Sequence, residues 1–261
     1  FEADMDCQCG YHADVRDGIL LTPNRYEGND DTPDVHRLMY KDLPAGMISL
    51  FQSAYNFMKR QLDGVSLNGK VVMESYINAW FFLYTHQGIF DPNGRYIIVD
   101  KYPETLAMYK ALMERENHHL PILYIADSTL NLPRCPGCVD VNIDFFATNE
   151  HNFYRRSFFY EKLAPLLKLG ARIIGTYFYF ENGWRSMQKL LSQYPKCSDN
   201  NFSLQYFLKM AAETGIVIDK KEVCGPSIDS GNNIGFSFHQ KGEKLFLLPY
   251  TAHRALPGRM G

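Results

Sequence analysis

The chain has 261 residues, 46% of them hydrophobic and 21% charged, with a formal net charge of −2. That length accommodates one full α/β domain with appended pieces, and the near-balanced charge argues against a surface that coats nucleic acid, so DNA contact is expected only through a region missing from this chain. No apolar run approaches the roughly 18 residues of a membrane helix, and the opening Phe1-Glu2-Ala3-Asp4 resembles neither a signal peptide nor an initiator, so the expectation is a cytoplasmic segment of a longer protein with no membrane partner.

Taken in chain order, residues 1–23 are expected to form a small hairpin appendage, because Val15 to Leu21 straddles Asp17-Gly18, a dipeptide favoured in tight turns. Residues 24–68 read as a linker and a lead-in helix. The stretch to residue 45 is polar and proline-containing, after which Met47, Leu50, Phe51, Ala54, Phe57, Met58 and Leu62 recur at helical spacing. Residues 69–261 read as the main domain. Short β-branched and aromatic runs predict strands at 70–74, 95–100, 121–127, 139–146 and 171–180. Helices are expected at 78–87, 103–116, 153–169 and 201–214, with Gly170 as the C-cap of the third. The last strands are expected at 216–223, 235–240 and 244–250. The alternation implies an α/β fold with a mostly parallel sheet, helices on both faces and right-handed crossovers.

In such a sheet a ligand binds at the carboxyl ends of the strands, which singles out Glu74, Asp100 and Asp127 at the ends of the first three. An acid ending the second strand can accept hydrogen bonds from ribose hydroxyls, and one after the third can meet an adenine amino group. At these positions the sequence resembles the class I S-adenosylmethionine-dependent methyltransferases, over roughly Met47 to Tyr250. Glu74-Ser-Tyr-Ile-Asn-Ala-Trp-Phe81 stands where that family has an acid-x-Gly-x-Gly-x-Gly loop, and Tyr-Ile-Ile-Val-Asp100 resembles its ribose-binding strand end. Ile-Ala-Asp127-Ser128 resembles the adenine-side segment, Val-Asp-Val-Asn-Ile-Asp144 the strand before the substrate-facing loop, and the run around Gly170 the stretch before the fifth strand. The resemblance implies a Rossmann-like class I methyltransferase sheet and S-adenosylmethionine held by Glu74, Asn78, Asp100, Asp127, Ser128 and Asp144.

More narrowly, the Cys7-x-Cys9-Gly10 opening, its hairpin and the Glu74-x-x-x-Asn78 loop resemble the methyltransferase-like C-terminal domains of some bacterial MerR-family transcriptional regulators. That implies a DNA reader preceding this chain.

The cofactor loop departs from the family pattern. Glycines allow the sharp turn and close approach to ligand there, yet their places hold Tyr76, Asn78 and Trp80. Tyr76 and Trp80 either fill the pocket or turn into the core. Asn142 to Phe146 and Thr148 to His151 fall on the expected substrate rim, where Glu150 or His151 could act as a general base. The plain alternative is a solvated polar loop. The rim lacks the Asn-Pro-Pro-aromatic signature used on base amino groups, which counts against base methylation. Phe145, Phe146, Phe153, Tyr154, Tyr177, Tyr179 and Phe180 could enclose a flat hydrophobic ligand or belong to the core.

Six cysteines are too few for a disulfide scaffold at this length. Cys7, Cys9, Cys135 and Cys138 could together hold a structural zinc ion, whereas Cys197 and Cys224 read as packing or surface thiols. No Gly-x-Gly-x-x-Gly follows the first strand, which counts against a nicotinamide enzyme. The leading expectation is a regulator's methyltransferase-like domain with a degenerate S-adenosylmethionine site, repurposed for ligand sensing or homodimerisation. The alternative is an active methyltransferase on a small molecule or RNA.

Overall fold

The computed structural model describes residues 2–6, 12–28, 41–77, 81–116, 120–132, 136–154 and 158–256. The amino-terminal strands are β1 (Glu2–Asp6), β2 (His12–Arg16) and β3 (Ile19–Leu21), and the turn between the last two places Asp17 at a φ of 51° and Gly18 at 75°. Two consecutive positive φ values are what a two-residue hairpin with right-handed strand twist demands. The apolar stripe read at residues 47–62 forms α1 (Ala45–Asp63), whose buried face includes Met47, Leu50, Phe57 and Leu62.

The parallel core then follows as β4 (Val71–Ser75), the short α2 (Phe82–Thr85), β5 (Arg95–Asp100), α3 (Pro103–Arg115), β6 (Ile122–Ala126), β7 (Val139–Asp144), α4 (Ala147–Tyr154), α5 (Phe159–Leu163) and β8 (Leu167–Phe180). The remainder is α6 (Trp184–Gln193), α7 (Leu204–Glu213), β9 (Ile216–Lys221), β10 (Cys224–Ser227) and β11 (Leu245–Arg254). All eleven strands make one sheet in the order β1-β2-β3-β6-β5-β4-β7-β8-β11-β10, with β9 also paired to β11. From β3 to β8 along that order every pairing is parallel, whereas β11 runs antiparallel to β8, β9 and β10. The amino-terminal hairpin thus extends the main sheet through the β3–β6 pairing.

Because successive strand residues point to opposite faces, each central strand feeds two cores. Val72, Ile98, Ile143 and Ile174 pack with α1 and with Leu106 and Tyr109 of α3. Met73, Val99, Ile173 and Tyr177 pack on the other face with Phe159, Tyr160 and Leu163 of α5 and with Phe207 and Ala211 of α7. Helices therefore cover both faces, as a parallel sheet requires.

Several local expectations are corrected. The helix expected over 153–169 is instead α4, α5 and a single tight turn at Ala164–Leu166. Pro165, which lacks a donor N–H, ends helical bonding there, so β8 begins at Leu167 and Gly170, at a φ of 76°, lies inside that strand. The strand expected over 235–240 is replaced by the turn Ile234–Phe236, since Phe236 and Phe238 turn inward against Phe178 and Phe202. Helix α6 had no counterpart among the expected elements.

Candidate functional site

Chain order reverses at β4, which has β5 on one side and β7 on the other. In an open α/β sheet this reversal leaves a crevice beyond the carboxyl ends of the strands.

Glu74, the penultimate residue of β4, is buried and bridges the loop that follows: Phe82 N–H donates to Oε1 at 2.6 Å and Leu83 N–H to Oε2 at 2.9 Å. Burial pushes its carboxyl up to about 8 although both backbone donors pull the other way. The side chain fastens the end of β4 to the start of α2.

Tyr76 occupies the first glycine place of the family loop with a φ of 57°, in the left-handed region that favours glycine. Its side chain is buried and packs in the core on the α5 and α7 face of the sheet. The phenol donates to the Ser128 carbonyl at 3.1 Å and lies 2.8 Å from His151 Nδ1, so with the phenol proton committed to Ser128 the His151 Nδ1–H donates back. Its ring also meets that of Phe159, so Tyr76 joins the ends of β4 and β6 to α4 and α5.

The other strand-end residues are engaged within the chain. Asp100 is fully buried and accepts Tyr102 N–H at 3.0 Å. Asp127 accepts Thr22 Oγ1 at 2.7 Å on one oxygen, and Thr129 N–H at 2.6 Å and Oγ1 at 2.9 Å on the other. Ser128 Oγ donates to the Asn24 carbonyl, so the segment leaving the hairpin lies across the end of β6. Asp144 accepts Thr148 Oγ1 at 2.6 Å, Tyr250 OH at 2.7 Å and Tyr160 OH at 2.9 Å, and Thr148 N–H at 3.0 Å. Burial pushes its carboxyl above the usual range, against the pull of these donors.

The structure thus brings Tyr76, Ser128 and His151 into one hydrogen-bonded cluster. Beside it, the buried Lys101 pairs with Glu150 of α4. Lys101 was not foreseen; no sequence signal distinguishes a lysine buried at a strand end from a solvated one. Asn78 and Trp80 lie outside the described residues, as do Cys7, Cys9 and Cys135. Cys138 is half-buried, and among the described residues no group of three or more His, Cys, Asp or Glu is arranged to hold a metal ion.

On the far side of Glu150 a cavity of about 140 Å³ opens, lined by Phe51, Phe146, Phe153, Phe178, Phe236 and Phe238 among others. Of the rim aromatics singled out in the sequence, Phe146 and Phe153 line it. Phe145 and Phe180 belong to the α1 core, and Tyr177 and Tyr179 to the core on the opposite face. Phe51 and Phe178 went unrecognised as lining because their helical and strand periodicities already account for them as core.

No protein-family model and no curated protein sequence matches the chain. In fold it is similar to geranyl diphosphate C-methyltransferase from Streptomyces coelicolor A3(2), solved with Mg2+, geranyl diphosphate and S-adenosyl-L-homocysteine. The TM-score is 0.59 at 12% identity, covering 87% of this chain and 86% of that one. A geranyl diphosphate methyltransferase in complex with SAM gives a TM-score of 0.56 at 11% identity, covering 87% and 93%. A SAM-dependent methyltransferase from Aquifex aeolicus gives 0.51 at 12% identity, covering 83% and 97%. The chain therefore has the Rossmann-like fold of the class I S-adenosylmethionine-dependent methyltransferases.

Proposed function

We propose that this chain is an S-adenosylmethionine-dependent methyltransferase acting on a small molecule. The observation that carries the reading is the placement of Glu74, Asp100 and Asp127 at or just beyond the carboxyl ends of three adjacent parallel strands, beside the point where strand order reverses. Neighbours of this fold were solved with S-adenosyl-L-homocysteine or SAM.

The Tyr76 phenol is bonded to Ser128 and His151 beside these strand ends, so it would leave both partners as the cofactor entered. Asp100 would then take the ribose hydroxyls, with Asp127 and Ser128 on the adenine side. The bound cofactor supplies an electrophilic methyl group. His151, released from Tyr76, would be the base that accepts a proton from the methyl acceptor, with the Lys101–Glu150 pair beside it. Proximity and desolvation supply the rest. A net charge of −2 favours a small acceptor over RNA.

Tyr76→Gly tests this reading, because it removes the phenol and restores a residue suited to a φ of 57°. The variant is expected to bind S-adenosylhomocysteine at least tenfold more tightly than the wild type, by calorimetric titration. Failure of both proteins to bind at millimolar ligand would sink the proposal. It would leave the rival, a cofactor-free ligand-sensing domain. None of the structural neighbours named above is a transcriptional regulator, so the resemblance to MerR-family domains draws no support from them.

A further inference from the structure

The geometry points to the phenylalanine-lined cavity beside α4 as a binding site for an uncharged planar ring compound of one or two fused rings. The rings form a packed aromatic wall: Phe146 and Phe178 stack at 4.6 Å with an interplanar angle of 11°, and Phe51 stands edge-on to both, at 5.3 Å and 5.7 Å. Offset and edge-to-face contacts of this kind extend naturally to an inserted aromatic ring. The cavity's volume of about 140 Å³ is close to that of dry apolar cavities, roughly 150 Å³, that accept benzene.

Two lining residues, Phe146 and Phe202, are each held at a φ of 66°, where bulky side chains rarely sit. Strain of this kind persists where surrounding structure imposes it, and it gathers at binding sites. Here Thr176 Oγ1 accepts the Phe146 N–H at 3.1 Å.

The polar groups on the wall are engaged elsewhere. Asn149 bonds the backbone N–H of Phe178 at 2.7 Å and its carbonyl at 3.1 Å, and Glu150 pairs with Lys101. A charged ligand would lose its hydration without a counter-group, whereas an uncharged ring would not. The cavity shares Leu43 and Phe51 with a wider groove along α1 of about 760 Å³, which leaves room for a substituent. As the methyl acceptor, such a compound rests on the function proposed above; as a bound ligand it does not.

The test is calorimetric titration of the full chain, without cofactor, with indole and with indole-3-carboxylate. Indole is expected to bind at least tenfold more tightly than the carboxylate. Phe236→Ala, which removes a half-buried ring facing Phe178, is expected to weaken indole at least tenfold while circular dichroism shows the variant folded. Leu43→Trp, which fills the mouth, is expected to do the same and serves if Phe236→Ala does not fold. Absence of indole binding at millimolar concentration, equal binding of the carboxylate, or unchanged affinity in the folded variants would overturn the assignment. Because no cofactor is present, none of these outcomes decides whether S-adenosylmethionine binds.

Discussion

Glu74 at the end of β4 and Tyr76 just after it carry opposite messages about the site. Glu74 ties the end of β4 to the start of α2 through two backbone N–H groups, and removing it strands two buried donors. Glu74→Ala is therefore expected to cost about 2–4 kcal/mol in urea unfolding. Its pH dependence follows from burial. Between its ordinary value of 4.5 and its folded value of about 8 the native chain retains a proton that the unfolded chain has released, so the side chain's contribution to stability falls as pH rises through that window. Unfolding free energies at pH 5 and pH 8 are expected to show a larger loss for the wild type than for Glu74→Gln; equal losses would contradict the assignment. Tyr76, by contrast, ties the end of β4 to Ser128 and His151, and the Tyr76→Gly titration reads what that seating costs cofactor binding.

Among the elements, β7, α4, α5 and β11 meet at Asp144, whose carboxylate gathers Thr148, Tyr160 and Tyr250. An amide cannot accept on both arms, so Asp144→Asn is expected to destabilise by about 1–3 kcal/mol, seen as a lowered urea midpoint. A midpoint unchanged from the wild type would show that the node carries little of the packing. The element pattern was legible where periodicity was unambiguous: the apolar stripe of α1 and the strand-helix-strand run from Arg95 to Ala126 appear close to where the sequence placed them. It was illegible where one residue overrode its neighbours. Pro165 ended a stretch of otherwise helical character, and Gly170 looked like a cap while lying inside a strand. Phe236 and Phe238 alternated like a strand because both fill an aromatic cluster from a turn.

At the scale of the whole molecule, the sheet order puts the acids identified in the sequence along one edge of a crevice. Their type and spacing were legible because strand ends recur once per β-α-β unit. What Tyr76 does there was not legible: a left-handed tyrosine whose phenol reaches Ser128 and His151 depends on residues 52 and 75 positions away. Nor was the Lys101–Glu150 pair, which forms only when α4 folds back over the end of β5. The central claim is that this crevice takes S-adenosylmethionine, and the most direct measurement is calorimetric titration of the wild type and of Asp100→Ala with S-adenosylhomocysteine. Micromolar binding by the wild type, weakened at least tenfold in the variant, is the predicted result; no heat from the wild type up to millimolar ligand would contradict it.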